Sequence, residues 1–169
     1  MKWLFICLFI WPLLVSAQDT SGVNCKIIRE KDPFTRETKL STGFIKMRNI
    51  SLTIDADARE IIFLFIIEKG EKCFTTNSTL DIYFEGIKSK TMTRNGGTMN
   101  CDGFFQLVFK NSRNTPTTVL QRILTRKTTQ FIFTAGNGKT NIVTLNPEDQ
   151  DLLFLLANCL YKEAQTLLP

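Results

Sequence analysis

The sequence predicts an α+β fold. The expected form is a single antiparallel, curled β-sheet of about seven or eight strands, packed against a C-terminal amphipathic helix, with a short helix near 116–126. Three observations lead there. Short stretches such as Leu80-Asp81-Ile82-Tyr83-Phe84 alternate apolar and polar residues, the period of a half-buried strand. Turn-forming residues separate these stretches at short intervals. The last segment instead repeats leucines at helical spacing behind a capping signal.

In chain order, Cys25 to Arg29 opens a strand, and Asp32-Pro33-Phe34-Thr35 has turn chemistry, because proline presets one dihedral and the aspartate can cap the turn. A second extended segment covers 43–54, and Asp55-Ala56-Asp57-Ala58 makes the next turn. Glu60 to Ile67 reads as the central strand. Its unbroken apolar run suits burial on both faces, with Arg59-Glu60 and Glu68-Lys69 as charged gatekeepers. Gly70 breaks this strand, and Lys72 to Thr76 returns.

Leu80, Ile82 and Phe84 share one face of the next strand, and Glu85-Gly86 turns the chain into a polar strand over 88–93, expected at an edge. Asn95-Gly96-Gly97 is a turn signal, after which Phe105, Leu107 and Phe109 alternate. Thr115-Pro116 reads as an N-cap with proline at the first helical position, ahead of the stripe Val119, Leu120, Ile123 and Leu124. Gln130–Thr134 and Asn141–Leu145 form a hairpin. The final helix starts at Asn146-Pro147, has Glu148 and Asp149 in its first turn, and carries the stripe Leu153, Leu156, Leu160, Ala164 and Leu167. Leu152, Leu155 and Cys159 widen that stripe, and a disulfide at Cys159 would pin the helix to the sheet.

Residues 1–17 have the form of a cleaved signal peptide. Lys2 supplies the positive start, an apolar run follows, and Val15-Ser16-Ala17 puts small residues at the cleavage point. Residues 18–169 are then a single α+β domain. Removing 17 residues from 169 leaves 152 and lowers the formal charge from +5 to +4. Both tryptophans and Cys7 leave with the signal. The even set Cys25, Cys73, Cys101 and Cys159 predicts two disulfides in an oxidising compartment, with the connectivity open. No later segment is long and apolar enough to span a membrane as a helix. The expected location is therefore secreted or periplasmic.

The chain has no histidine, which excludes Ser-His-Asp and Cys-His catalysis and every histidine-ligated metal site. No Cys-x-x-Cys pair offers zinc ligands. Gly136-Asn137-Gly138-Lys139-Thr140 mimics the end of a phosphate-binding loop, but Phe133 stands where that motif needs glycine, so a hairpin turn is expected. No cofactor and no metal site are expected. The basic residues Lys88, Lys90, Arg94, Arg122, Arg126 and Lys127 offer a surface for anionic groups. A mild net charge and scarce stacking aromatics argue against nucleic acid. Asn49-Ile50-Ser51 and Asn77-Ser78-Thr79 are glycosylation sequons, of consequence only in a eukaryotic source.

Ser16-Ala17-Gln18, the early Asp32-Pro33-Phe34-Thr35-Arg36-Glu37 and the late Cys159-Leu160 give the chain a pattern that resembles a loose group of exported proteins of Bacteroidota-type bacteria with an early Asp-x-Phe-Thr turn. The sequence departs from the group at Arg36, where the group tends to carry glycine. The resemblance implies export and a compact fold, and implies no site.

These readings point to a non-enzymatic exported domain that binds a protein partner or an envelope component. Its expected contact is strand addition along the polar edge, through Lys88, Lys90, Thr91, Thr93 and Arg94. A carboxylate-dependent hydrolase and a carrier of small apolar ligands, its phenylalanines lining a cavity, are the alternatives.

Overall fold

The computed structural model describes residues 25–169; the expected signal segment lies outside the described residues. Among the described residues the fold is mostly β, with ten strands in two antiparallel sheets and two helices. The first sheet has six strands, in the order β1 (Ile28–Lys31), β2 (Thr38–Ser41), β4 (Ile50–Ala56), β5 (Glu60–Ile67) and β8 (Phe104–Lys110), with β3 (Ile45–Met47) also paired to β4. The second has four, in the order β10 (Thr140–Thr144), β9 (Thr128–Thr134), β6 (Thr79–Phe84) and β7 (Thr91–Arg94). Helix α1 spans Thr118–Thr125 and α2 spans Pro147–Gln165.

The single sheet expected from the sequence is therefore two sheets. The physical reason lies in the amount of apolar surface. Nearly every strand carries one apolar face, and a single helix cannot cover that many. The two sheets cover each other instead. Phe65 on β5 meets Phe131 and Phe133 on β9 edge-on, with ring centroids 5.2 and 5.4 Å apart. Phe105 on β8 joins them 5.3 Å from Phe133, and Phe74 lies 5.5 Å from Phe105.

The run in β5 is also corrected. Ile61, Phe63, Phe65 and Ile67 are fully buried between the sheets, whereas Ile62, Leu64 and Ile66 are half-buried on the outer face. The segment expected to extend over 43–54 is two strands joined by a tight turn at Arg48, whose φ is +48°. Strand β2 has no counterpart among the expected elements. It pairs with the far end of β4, and the register slips by one residue between β2 and β3, around Gly43 and Phe44. That slip is a bulge, with Gly43 in the left-handed region. The 72–76 segment makes a lone bridge, Phe74 to Asn100, instead of a strand.

The helices follow their apolar stripes. Leu120 and Ile123 of α1 are buried, but the N-cap is Thr117, so Pro116 precedes the helix instead of opening it. In α2 the Asn146 side chain accepts the N–H of Asp149 at 2.7 Å, Pro147 opens the helix, and Leu153, Leu156, Leu160 and Ala164 are buried. Leu152 remains exposed, so the buried stripe is narrower on that side than expected.

Both disulfides are present, as Cys25–Cys159 and Cys73–Cys101. The first ties α2 to the segment just before β1, not to a strand of the sheet. One helical turn further on, Glu163 pairs with Arg29 of β1 at 2.7 Å. No helix among the described residues is long and apolar enough to cross a membrane. Two disulfides suit an oxidising compartment.

Candidate functional site

Strand β7 is an edge of the second sheet, as expected, and it is shorter than expected. Lys88 and Lys90 precede it, in the loop after β6. Loop geometry explains this: Gly86, at φ +74°, turns the chain, and pairing with β6 begins only where Thr91 meets Ile82. Thr91 and Thr93 lie opposite Ile82 and Leu80, whose side chains are buried between the sheets. Thr91 is itself buried, and its hydroxyl oxygen accepts a hydrogen bond from the Arg122 guanidinium of α1. The threonine side chains thus belong to the inner face, not to an outward contact surface. Met92 and Arg94 are exposed.

The edge itself is defined by the backbone. Alternate residues of an antiparallel strand turn their N–H and C=O toward the same neighbour. Asn95 donates its N–H to Ser78 at 2.9 Å, which continues the β6–β7 ladder. Thr91 and Thr93 therefore bond toward β6, and Met92 and Arg94 turn their backbone groups to the open side. Gly96, the next residue in that alternation, uses its outward N–H to reach the Gln106 carbonyl of β8 at 2.8 Å. Met92 and Arg94 have no backbone partner among the described residues.

Charge around this edge is partly committed. Lys90 Nζ donates to Asp81 Oδ2 at 2.7 Å, and this carboxylate holds the lysine pKa above its ordinary value. Asp81 Oδ1 is buried with no hydrogen-bond partner among the described residues, where Lys90 is the group that compensates this carboxylate. Lys127 is paired with Asp151, which raises its pKa in the same way. Of the six basic residues expected to offer an anion-binding surface, Arg122, Lys90 and Lys127 therefore already have partners within the chain, the two lysines at its surface. Lys88, Arg94 and Arg126 are exposed.

One concavity was not legible in the sequence. The outer face of the first sheet holds a cleft of about 470 Å3, with Glu30, Asp55, Asp57 and Glu60 around it and Ile28 and Ile62 as apolar lining. Cross-strand register assembles it: Ile28 faces Ser41, Ser41 faces Asp55, and Asp55 faces Ile62. Two of the four carboxylates already serve the fold. Asp57 Oδ1 accepts the N–H groups of Arg59 and Glu60 at 2.7 and 2.9 Å, and Asp55 accepts the Thr53 hydroxyl at 3.1 Å. Glu30 and Glu60 stand far apart in sequence, and only the strand order brings them to one cleft.

Gly136–Thr140 closes the β9–β10 hairpin, with Gly138 at φ +80°, so the phosphate-loop look-alike is a turn. Asn49 and Asn77 of the two sequons are both exposed. Comparison with protein-family models, curated proteins and solved structures finds no match to this chain.

Proposed function

We propose that this chain is an exported, disulfide-braced binding module without catalytic activity of its own, working in the periplasm or outside the cell. Its partner is a protein or an envelope component that adds an extended segment to the open side of β7. One observation carries this reading: Met92 and Arg94 direct backbone groups, unpaired among the described residues, outward from a sheet edge beside the exposed Lys88 and the Asp81-paired Lys90. Backbone hydrogen bonds would supply affinity, and Met92, Arg94 and Lys88 would supply selectivity.

The edge supports a precise test. Proline at position 92 removes an outward N–H and leaves the β6 ladder whole, because proline is tolerated on the solvent side of an edge strand. Affinity capture from the producer's own envelope or medium should succeed with the wild-type protein and fail with M92P. Equal capture by M92P would sink the edge as the contact. The carrier alternative is weakened by the phenylalanines, which fill the interior against one another. The hydrolase alternative would have to work in the Glu30–Asp55–Glu60 cleft. On the binding reading, E60Q leaves capture unchanged.

A further inference from the structure

The opposite edge of the same sheet is built differently, and we infer that β10 pairs with β10 of a second copy of this chain, in antiparallel register about a two-fold axis at Ile142. The β9–β10 ladder is bounded by two backbone bonds, Ala135 N–H to Lys139 and Leu145 N–H to Thr129, both 2.9 Å. Alternation between them turns Asn141 and Val143 toward β9. Thr140, Ile142 and Thr144 therefore turn their N–H and C=O outward, and none of the three has a backbone partner on that side among the described residues. These outward residues are symmetric about Ile142. A second copy laid antiparallel sets Ile142 against Ile142 and each Thr140 against the other copy's Thr144.

The edges of the first sheet carry devices that discourage such pairing. Strand β1 exposes Arg29, Glu30 and Lys31 and is tethered through Arg29 to Glu163. Strand β3 has three residues, one of them the exposed Lys46. The open side of β8 is engaged at Gln106 by Gly96. Strand β10, Thr-Asn-Ile-Val-Thr, has no charge, no proline and no bulge against β9. Its Ile142 side chain is 60% exposed, an apolar group at the centre of the strand.

The flanks do not oppose the pairing. The antiparallel register sets each Lys139 level with Leu145 of the other copy, so the two lysines lie at opposite ends of the seam, and each keeps Glu71 of its own chain as its partner at 3.5 Å. The product would be one eight-stranded sheet with a β7 edge at each end, an isologous dimer. This pairing does not depend on the binding role proposed for β7.

The test is sedimentation analysis of the processed full chain with its disulfides intact. The expected result is a concentration-dependent dimer for the wild-type protein and a monomer for I142K at the same concentrations, because that change sets two lysines against each other on the axis. The circular dichroism spectrum of I142K should match wild type, and its thermal midpoint should match that of wild type at dilutions where wild type is monomeric, since the side chain is exposed in the single chain. As a second readout, I142C should be linked to itself by a short bis-maleimide under conditions where M92C is not. A wild-type monomer at high micromolar concentration would overturn the inference. So would a dimer indifferent to I142K, or equal linking of both cysteine variants.

Discussion

At the scale of single residues, the most telling positions are those where one atom does a job that no other residue type can do. Glu71 Oε1 accepts the N–H groups of Cys73 and Lys72 at 3.0 and 3.1 Å, and Oε2 accepts from Asn137 at 3.1 Å with Lys139 nearby. These donors, the Cys73 N–H foremost, lower its pKa from 4.5 to about 2. The folded value lies below the unfolded one, so the carboxylate stabilises the fold above its ordinary pKa. That contribution is lost as the pH falls from about 4.5 toward 2. E71Q should therefore be less stable than wild type at neutral pH, with the difference closing across that acid window. A difference independent of pH, in chemical denaturation at several pH values, would count against this role. Gly103 is a second case. Its φ is +87°, and a Cβ there would sit 2.6 Å from the Ile67 carbonyl oxygen. G103A should cost about 1–3 kcal/mol of stability, measured as a shift in the denaturation midpoint.

At the scale of elements, cross-links and capping hold the chain to its topology. The Cys25–Cys159 bridge closes 134 residues and Cys73–Cys101 closes 28. Chain entropy predicts about 5 kcal/mol for the first and about 3.5 kcal/mol for the second. Paired serine variants, C25S/C159S and C73S/C101S, should rank in that order in equilibrium unfolding; the reverse order would show that the shorter loop has the larger role in the native state. Much of this level is legible in the chain. The cap at Asn146-Pro147 and the alternation of β6 and β8 each depend on neighbours in sequence, and the structure has each of them where the residues place it. What is not legible depends on neighbours in space. Strand β2 is four residues long with one buried side chain, Leu40, so its period is too short to register. The split into β3 and β4 rests on Arg48 at positive φ, which nothing in its residue type announces. For the same reason the outward Glu30 and Glu60 look like scattered surface charge until strand order joins them in one cleft.

At the scale of the whole molecule, the second sheet has two open edges of different character. The apolar cross-section that forces two sheets to face each other also leaves each sheet with ends. The β7 end is short, basic in its surroundings and pinned at Gly96 to β8; the β10 end is neutral and symmetric. If the first takes up a partner strand and the second joins two copies, one assembly offers two partner edges. The polar edge is legible in the sequence as a position. Of the two residues whose backbone groups turn outward, Arg94 is among those the sequence singles out and Met92 is not, because side-chain type points to lysine, arginine and threonine whereas the outward direction is set by the backbone alternation.

Amide hydrogen exchange at single-residue resolution decides whether β7 is the edge that takes up the partner. It is measured on the processed protein alone and on the complex captured from its native surroundings. The amides of Met92 and Arg94 should exchange freely in the unbound protein and become protected in the complex, while those of Thr91 and Thr93, already bonded to β6, change little. Protection confined to other surfaces, with Met92 and Arg94 still exchanging freely in the complex, would rule out strand addition at β7.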